Sequence, residues 1–285
     1  MATPDRAIIV AEIGSTWGRD LDVALRLIDD VTAAGADVVK AQWLSSAQAL
    51  ADRRGAYGYI GQYGLLEYPV KWLAEMSERC HARGARFACT AYLAADVRPV
   101  ACFADVVKVA SFEAGDLVFV GHAATVCKEE TRELVVSTGM MSLTEAHGVA
   151  VIAGRITVGL TLLHCVSAYP TPDDQAALGG IEALRRRIGP SVTRIGYSDH
   201  TATLMTGALA VMAGATMLEK HVRPVVADPA NPDVAFGALM PGDFGQYVAA
   251  VRMAEAMRGP IYKAPQPCEA EMMKYRAWTR AFQAY

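Results

Sequence analysis

The 285-residue sequence has no excess of positive charge, no CxxC motif and no long apolar run. Lys and Arg number 27 against 30 Asp and Glu, so no global basic field exists to attract nucleic acid or an anionic membrane. None of the six cysteines forms a CxxC pair, and we expect reduced thiols in a cytoplasmic protein. No apolar run reaches the ~18 residues of a membrane helix, and the first apolar run is typical of a strand rather than a signal peptide.

What the sequence does contain is a regular alternation of short β-branched runs and longer helical patterns. Apolar residues make up 53% and charged residues 20%, a balance typical of strands that are buried on both faces. Strands are predicted at 7–14, 37–44, 85–92, 105–113, 132–140, 156–170, 191–200 and 216–222. Helices are predicted at 21–35, 69–84, 94–104, 116–130, 142–154, 179–189, 201–215 and 241–259, with a Gly- and Tyr-rich loop near 50–64 and a polar, partly helical tail at 260–285.

Eight strands, each followed by a helix, predict a (β/α)₈ TIM barrel. We expect a single domain over residues 1–285, with the barrel core at about 7–259. An open doubly wound sheet is the alternative architecture. No GxGxxG motif follows the first strand, which argues against a dinucleotide-binding version of that sheet.

Polar side chains collect at the C-terminal ends of the predicted strands, where barrel enzymes carry their active sites. They are Glu12, Lys40, Gln42, Thr90, Lys108, Ser111, Glu113, Ser137, Ser167, Tyr169, Ser198, His200 and His221, with Glu219 beside the last. Each alone could be a hydrogen-bonded strand-end residue. Because charged side chains are rarely buried without partners, their convergence predicts one polar site. Lys40 and Lys108 would make one side of it cationic and suited to a phosphorylated anion.

Two histidines of this set indicate a metal site. His200 and His221 close the seventh and eighth strands, which are neighbours in a barrel, and Glu12 ends the first strand beside them. Two imidazoles with water and carboxylate neighbours favour Mn²⁺, Fe²⁺, Co²⁺ or Zn²⁺ over Ca²⁺. From the spacing alone, hydrogen-bonded core histidines remain an equal alternative.

Seven segments, in this order, resemble the signatures of the N-acetylneuraminate (sialic acid) synthase family, which includes legionaminate and pseudaminate synthases. They are AEIG (11–14), GADVVKAQ (35–42), VVKVASFE (106–113), STGM (137–140), LLHCVSAYPTP (162–172), GYSDHT (196–201) and EKHV (219–222). The resemblance covers about residues 7–259, and GYSDH followed by EKH is its specific part.

The resemblance implies an enzyme that condenses phosphoenolpyruvate with an aldehyde sugar to give a 3-deoxy-2-keto acid and phosphate. It assigns metal binding to His200 and His221, with Mn²⁺ as the first expectation and Mg²⁺, Co²⁺, Fe²⁺ or Zn²⁺ as others. It makes Glu12 the active-site carboxylate. Phosphoenolpyruvate binding falls to Lys40, Thr90, Lys108, Ser111, Ser137, Ser167 and Ser198, and acceptor binding to Gln42, Glu113, Tyr169 and Asp233. A homodimer is also expected.

Two departures from the family pattern leave the acceptor open. Ser15-Thr16-Trp17-Gly18 stands where the family has Asn-His-x-Gly. The family's C-terminal antifreeze-like domain, which supplies an arginine to the sugar, is not expected before Tyr285, so a separate lid protein is a further expected partner. The same phosphoenolpyruvate chemistry on a non-hexosamine acceptor is therefore one alternative. A non-catalytic barrel that binds a ligand or partner is the other.

Overall fold

Eight parallel strands close into a barrel in the computed structural model, which describes residues 6–157, 159–259 and 263–277. Each strand pairs with the next along the chain, and the eighth pairs with the first. The strands are β1 (Ile8–Gly14), β2 (Val38–Trp43), β3 (Arg86–Ala91), β4 (Val106–Val109), β5 (Glu133–Ser137), β6 (Leu160–Cys165), β7 (Arg194–Asp199) and β8 (Met217–His221). The predicted (β/α)₈ TIM barrel is confirmed.

Helices surround the barrel and complete each βα unit. They are α1 (Leu21–Ala33), α2 (Ala47–Arg54), α3 (Ile60–Tyr63), α4 (Lys71–Ala82), α5 (Ala94–Phe103), α6 (Ser111–Ala114), α7 (Leu117–Glu129), α8 (Leu143–Gly154), α9 (Gly179–Ile188), α10 (Thr206–Met212), α11 (Pro232–Ala235), α12 (Pro241–Arg258) and α13 (Ala270–Met273). Across the described residues, none of these helices has the length and apolarity needed to cross a membrane.

Local sequence signals explain where these helices begin and which face they bury. The Asp20 carboxylate accepts a hydrogen bond from Val23 N at the start of α1, which buries a stripe of Leu27, Ile28 and Val31 against the barrel. At α8 the Ser142 side chain accepts from Glu145 N while the Glu145 carboxylate accepts from Ser142 N. This reciprocal capping satisfies two backbone donors that the helix itself leaves unpaired.

The segment predicted as a loop at 50–64 is instead largely helical. The Ser46 side chain caps α2 by accepting from Ala49 N, and Gly55 ends the helix in the left-handed conformation at φ 61°. A second short helix, α3, follows. Ser46 and Gly55 are residue types that begin and end helices, whereas the many glycines and tyrosines of this stretch are typical of a loop.

The fourth predicted strand, 105–113, is also shorter than expected. β4 ends at Val109, and Ser111 and Glu113 lie on the short helix α6. Likewise α10 begins only at Thr206, because residues 201–205 form the exit loop of β7. Helix α11 at 232–235 was not predicted. These differences all lie on the side of the barrel where the strands end.

A layer of apolar side chains closes the barrel interior below the strand ends. Its members are Val10, Val38, Ala88, Val106, Val135, Leu163 and Met217. Because side chains alternate along a strand, the residue two positions after each of these also faces the barrel interior. Those residues are Glu12, Lys40, Thr90, Lys108, Ser137, Cys165 and Glu219, all buried. A polar layer therefore lies directly on an apolar floor.

Candidate active site

An open cavity of about 960 Å³, which includes solvent space at its mouth, lies above this polar layer. All but two of the residues predicted for the site line this cavity. The lining residues are Glu12, Lys40, Gln42, Thr90, Lys108, Ser111, Ser137, Tyr169, Ser198, His200, His221 and Asp233. Glu113 lies behind the wall, and Ser167 lies beside Gly139. The convergence expected from the strand ends is thus observed.

Two lysines and two glutamates form a buried charge network at the bottom of the cavity. The Lys40 ammonium forms an ion pair with Glu12 Oε2 and donates to Thr90 Oγ1 at 3.1 Å. Glu219 lies between the lysines, with Oε2 3.7 Å from Lys40 Nζ and Oε1 3.6 Å from Lys108 Nζ. Ser198 Oγ also donates to Glu219 Oε1, at 2.9 Å. The two cations are balanced by two anions inside a water-poor layer.

Burial and neighbouring charges shift the pKa values of this network in opposite directions. Burial lowers the pKa of Lys40 to about 8, with Glu219 opposing the shift. Burial would raise the pKa of Glu219, but the ammonium groups of Lys108 and Lys40 lower it to about 2. Glu219 is therefore ionised at neutral pH, whereas Lys40 loses its charge in mildly alkaline solution.

A group of serine hydroxyls lies next to the charge network. Ser111 Oγ accepts a hydrogen bond from Gly139 N at 3.1 Å. The buried hydroxyls of Ser137 and Ser167 have no hydrogen-bond partner within the described residues. Gly139 makes this arrangement possible, because a Cβ there would come within 2.3 Å of Ser167 Oγ and 2.8 Å of Ser111 Oγ. Unsatisfied buried hydroxyls beside ammonium groups suit the oxygens of an anion.

His200 and His221 lie next to each other on one side of the cavity, at the ends of the neighbouring strands β7 and β8. Their ring centroids are 5.6 Å apart, and the Tyr169 ring lies tilted against His200 with a centroid distance of 4.2 Å. His200 Nδ1 donates to the Val166 carbonyl at 2.8 Å, which turns Nε2 toward Ser198 Oγ at 3.4 Å. Burial and His221 lower the pKa of His200 to about 3, and burial also lowers that of His221. Both rings are neutral at pH 7.

Neutral imidazoles can act as metal ligands, and His221 Nδ1 is buried without a hydrogen-bond partner. Asp233 Oδ1 lies 3.5 Å from this nitrogen. Within residues 6–157, 159–259 and 263–277, however, no group of three or more His, Cys, Asp or Glu side chains is arranged to hold a metal ion. The pair fits a cation that takes its remaining ligands from water or substrate.

Asp233 also anchors the loop whose sequence departs from the family pattern. Its Oδ2 accepts hydrogen bonds from Ser15 N at 2.8 Å and Ser15 Oγ at 2.7 Å. Asn231 Nδ2 donates to the Ser15 carbonyl at 2.9 Å. The loop after β1 and the loop after β8 are therefore joined, and one carboxylate oxygen of Asp233 is already occupied.

Two residues with a prominent place in the site were not assigned a role from the sequence. Glu219 is the common partner of both lysines, and its position two residues before His221 on β8 could have shown that it faces the interior. Arg54 lies in the cavity wall at the end of α2. The sequence pattern does not indicate Arg54, because α2 falls outside the simple alternation of strands and helices.

A family model and several known proteins match most of this chain. The NeuB family model matches residues 27–263. A pseudaminic acid synthase of Campylobacter jejuni is 26% identical over 298 residues, covering 99% of this chain and 82% of the relative. An N,N'-diacetyllegionaminic acid synthase of Legionella pneumophila is 28% identical over 284 residues, covering 92% of this chain and 76% of the relative.

A solved structure supports the same relationship. The crystal structure of N-acetylneuraminic acid synthetase from Leptospira borgpetersenii, in complex with citrate, superposes with a TM-score of 0.84 at 26% identity. The match covers 95% of this chain and 92% of that one. The chain belongs to the NeuB family, and the predicted synthase class of enzyme is confirmed.

Proposed function

We propose that this NeuB family member condenses phosphoenolpyruvate with an aldehyde sugar, giving a 3-deoxy-2-keto acid of the nonulosonate type and inorganic phosphate. The observation that carries the proposal is the placement of Lys40 and Lys108 in one cavity with the unpartnered hydroxyl of Ser137. This is a site for a small, multiply charged phosphorylated anion. The names of the relatives, which are synthases of such acids, support the choice of reaction.

The chain's own residues would bind and orient the reactants. The lysines and serines hold phosphoenolpyruvate so that its C3 faces the aldehyde carbon, which converts a two-body encounter into a positioned reaction. C3 forms the new C–C bond, and the aldehyde oxygen takes a proton to become a hydroxyl. Water adds at the electron-poor C2, with Glu12 as the group that accepts the water proton or stabilises the charge. The C–O bond to phosphate then breaks, leaving the ketone and inorganic phosphate.

His200 and His221 would hold a divalent cation, with Mn²⁺ as the first candidate. Their neutral state and their shared side of the cavity fit this role. When bound, the cation would supply Lewis-acid polarisation of the acceptor carbonyl. The acceptor would bind in the cavity that the histidines, Gln42 and Tyr169 line.

The experiment that tests this function is phosphate release from phosphoenolpyruvate with Mn²⁺ and a panel of aldehydes. The panel contains N-acetylmannosamine, 6-deoxy diamino sugars and non-hexosamine aldehydes. We expect release that needs both aldehyde and metal and is lost in His200→Ala. Binding of phosphoenolpyruvate without turnover on any sugar would favour the non-hexosamine alternative, and absence of binding would contradict an enzyme of this type.

A methyl group at position 139 should damage the anion site. In Gly139→Ala the new Cβ would displace the hydroxyls of Ser167 and Ser111, and we expect phosphoenolpyruvate to bind about 10- to 100-fold more weakly. Titration calorimetry measures the change. Gly148→Ala is the matched control, because a Cβ there meets no atom within 4 Å. Equal affinity in the two variants would show that the serine group does not bind the substrate.

The affinity for phosphoenolpyruvate should fall in alkaline solution. Because burial lowers the pKa of Lys40 to about 8, its ammonium is intact below that pH and is lost as pH rises through it. We expect the affinity to fall about twofold between pH 7 and 8, then by a factor that approaches tenfold per pH unit. In Lys40→Arg the decline should disappear, since a guanidinium keeps its charge. A flat profile to pH 9.5 in the unmodified protein would refute this role.

A further inference from the structure

Arg54 presents a fixed guanidinium to the cavity. Its Nε donates to Glu113 Oε1 at 2.9 Å, Nη2 donates to the same oxygen, and Nη1 is 3.4 Å from the Tyr63 hydroxyl. These contacts use three of the five N–H groups of the guanidinium. The other two have no hydrogen-bond partner among the described residues, although the side chain is only 18% exposed. Such unsatisfied donors on a cavity wall form a place for ligand oxygens.

The orientation of Arg54 is set from several sides. Its Cζ lies 5.4 Å from the ring centres of Tyr63 and Tyr92 and 4.9 Å from that of Phe112. The Glu113 side chain that holds it is 1% exposed. Contacts with the faces of three aromatic rings and a buried carboxylate leave the guanidinium little freedom. The guanidinium of this cavity-lining residue is therefore preorganised.

The charges around the cavity decide what kind of oxygen Arg54 can bind. Lys40 and Lys108 are balanced by Glu12 and Glu219 and would also face phosphoenolpyruvate. Arg54 is balanced by Glu113. This neutral pair supplies a donor group on the wall that is separate from the lysine network. A second phosphate there would lie beside the buried Glu113 carboxylate in a cavity that already holds the negative charge of phosphoenolpyruvate, whereas hydroxyl or acyl oxygens need only hydrogen bonds.

We propose that Arg54, held by Glu113, binds the hydroxyl or acyl oxygens of an uncharged aldehyde sugar and makes the site select against a phosphorylated acceptor. The inference rests on the proposed function and names its acceptor class. Arg54 is the residue that contacts the acceptor. Glu113, which lies behind the wall, is a positioning residue.

Arg53 offers a matched control for Arg54. It is the preceding residue of the same helix, pairs with Asp116 at 2.8 Å and lies over the Phe119 ring at 4.6 Å, but it does not line the cavity. Each of the variants Arg54→Met and Arg53→Met therefore removes one guanidinium group, one ion pair and at least one ring contact. Glu113→Gln keeps the shape of the positioning residue and removes its charge.

NMR titration measures the binding of N-acetylmannosamine and of its 6-phosphate, and it needs no turnover. Calorimetry measures the binding of phosphoenolpyruvate. We expect the neutral sugar to bind more tightly. Arg54→Met should weaken it about 10- to 100-fold, and Glu113→Gln by an intermediate factor, while Arg53→Met stays within twofold. Affinity for phosphoenolpyruvate should change less than threefold in all three variants.

Three outcomes would overturn the inference: tighter binding of the phosphorylated sugar, unchanged sugar binding in Arg54→Met, or no binding of either sugar. A parallel loss of phosphoenolpyruvate binding in Arg54→Met would also overturn it, since the effect would then be general. Failure of the unmodified protein to bind phosphoenolpyruvate is a separate result, which contradicts the proposed function instead.

Discussion

Replacing Lys108 by methionine should weaken phosphoenolpyruvate binding about 1000-fold, which corresponds to about 4 kcal/mol. Lys108 is 3% exposed and lies 3.6 Å from Glu219 Oε1. Its removal has two effects on the anion site. The substrate loses a cation, and the polar layer changes from two cations and two anions to one cation and two anions. The remaining excess of negative charge repels phosphate in a region where water screens poorly.

Calorimetric titration measures this effect, and the double variant Lys108→Met/Glu219→Gln separates its two parts. Removing the glutamate charge restores neutrality but not the lost donor, so we expect only partial recovery. Lys128→Met, on the exposed surface of α7, is the control and should bind normally. An affinity within threefold of the unmodified protein in Lys108→Met would exclude Lys108 from the substrate site.

Replacing Lys220 by methionine should lower the free energy of unfolding by about 3–5 kcal/mol. Lys220 is 2% exposed; its Nζ lies 3.1 Å from Asp199 Oδ2 and donates to the Thr201 carbonyl at 2.6 Å. The ammonium also lies 5.4 Å from the centre of the Tyr247 ring. Without it the Asp199 carboxylate is buried with no opposing charge nearby. Because Asp199 and Lys220 precede His200 and His221, the pair also fixes the ends of β7 and β8 that carry the histidines.

Denaturant unfolding gives the free energy directly. Asp199→Asn/Lys220→Met removes both charges and should recover part of the loss. Lys274→Met breaks the exposed pair with Glu271 and should cost less than about 0.5 kcal/mol. If Lys220→Met were no more destabilising than Lys274→Met, the buried pair would not hold these strand ends together.

The polar layer of the site could be predicted because it follows from strand periodicity. Val38 and Lys40 on β2, or Val106 and Lys108 on β4, are two apart and face the same interior. Once the barrel closes, every such pair places its second member at the same level. The positions of the lysines could therefore be predicted from the strand assignments and the closure of the barrel, and the sequence indicates both.

The upper wall of the site was harder to predict because it is built from loops and short helices. Arg54 reaches the cavity from α2, a helix inserted between β2 and α4. The alternation of side chains along the strands gives no information about where this helix lies. Glu113 was predicted at a strand end, yet it lies on α6, where the turn directs it behind Arg54. Contacts between residues 59 positions apart depend on tertiary packing, which local sequence patterns do not encode.

In the proposed reaction the C–O bond of phosphoenolpyruvate breaks after water adds at C2. Phosphoenolpyruvate that carries ¹⁸O in the bridging position distinguishes C–O from P–O cleavage, with mass spectrometry of both products formed from the aldehyde that supports phosphate release. We expect the label to leave with inorganic phosphate. Label retained in the keto acid would mean that the P–O bond broke instead, and would contradict the mechanism.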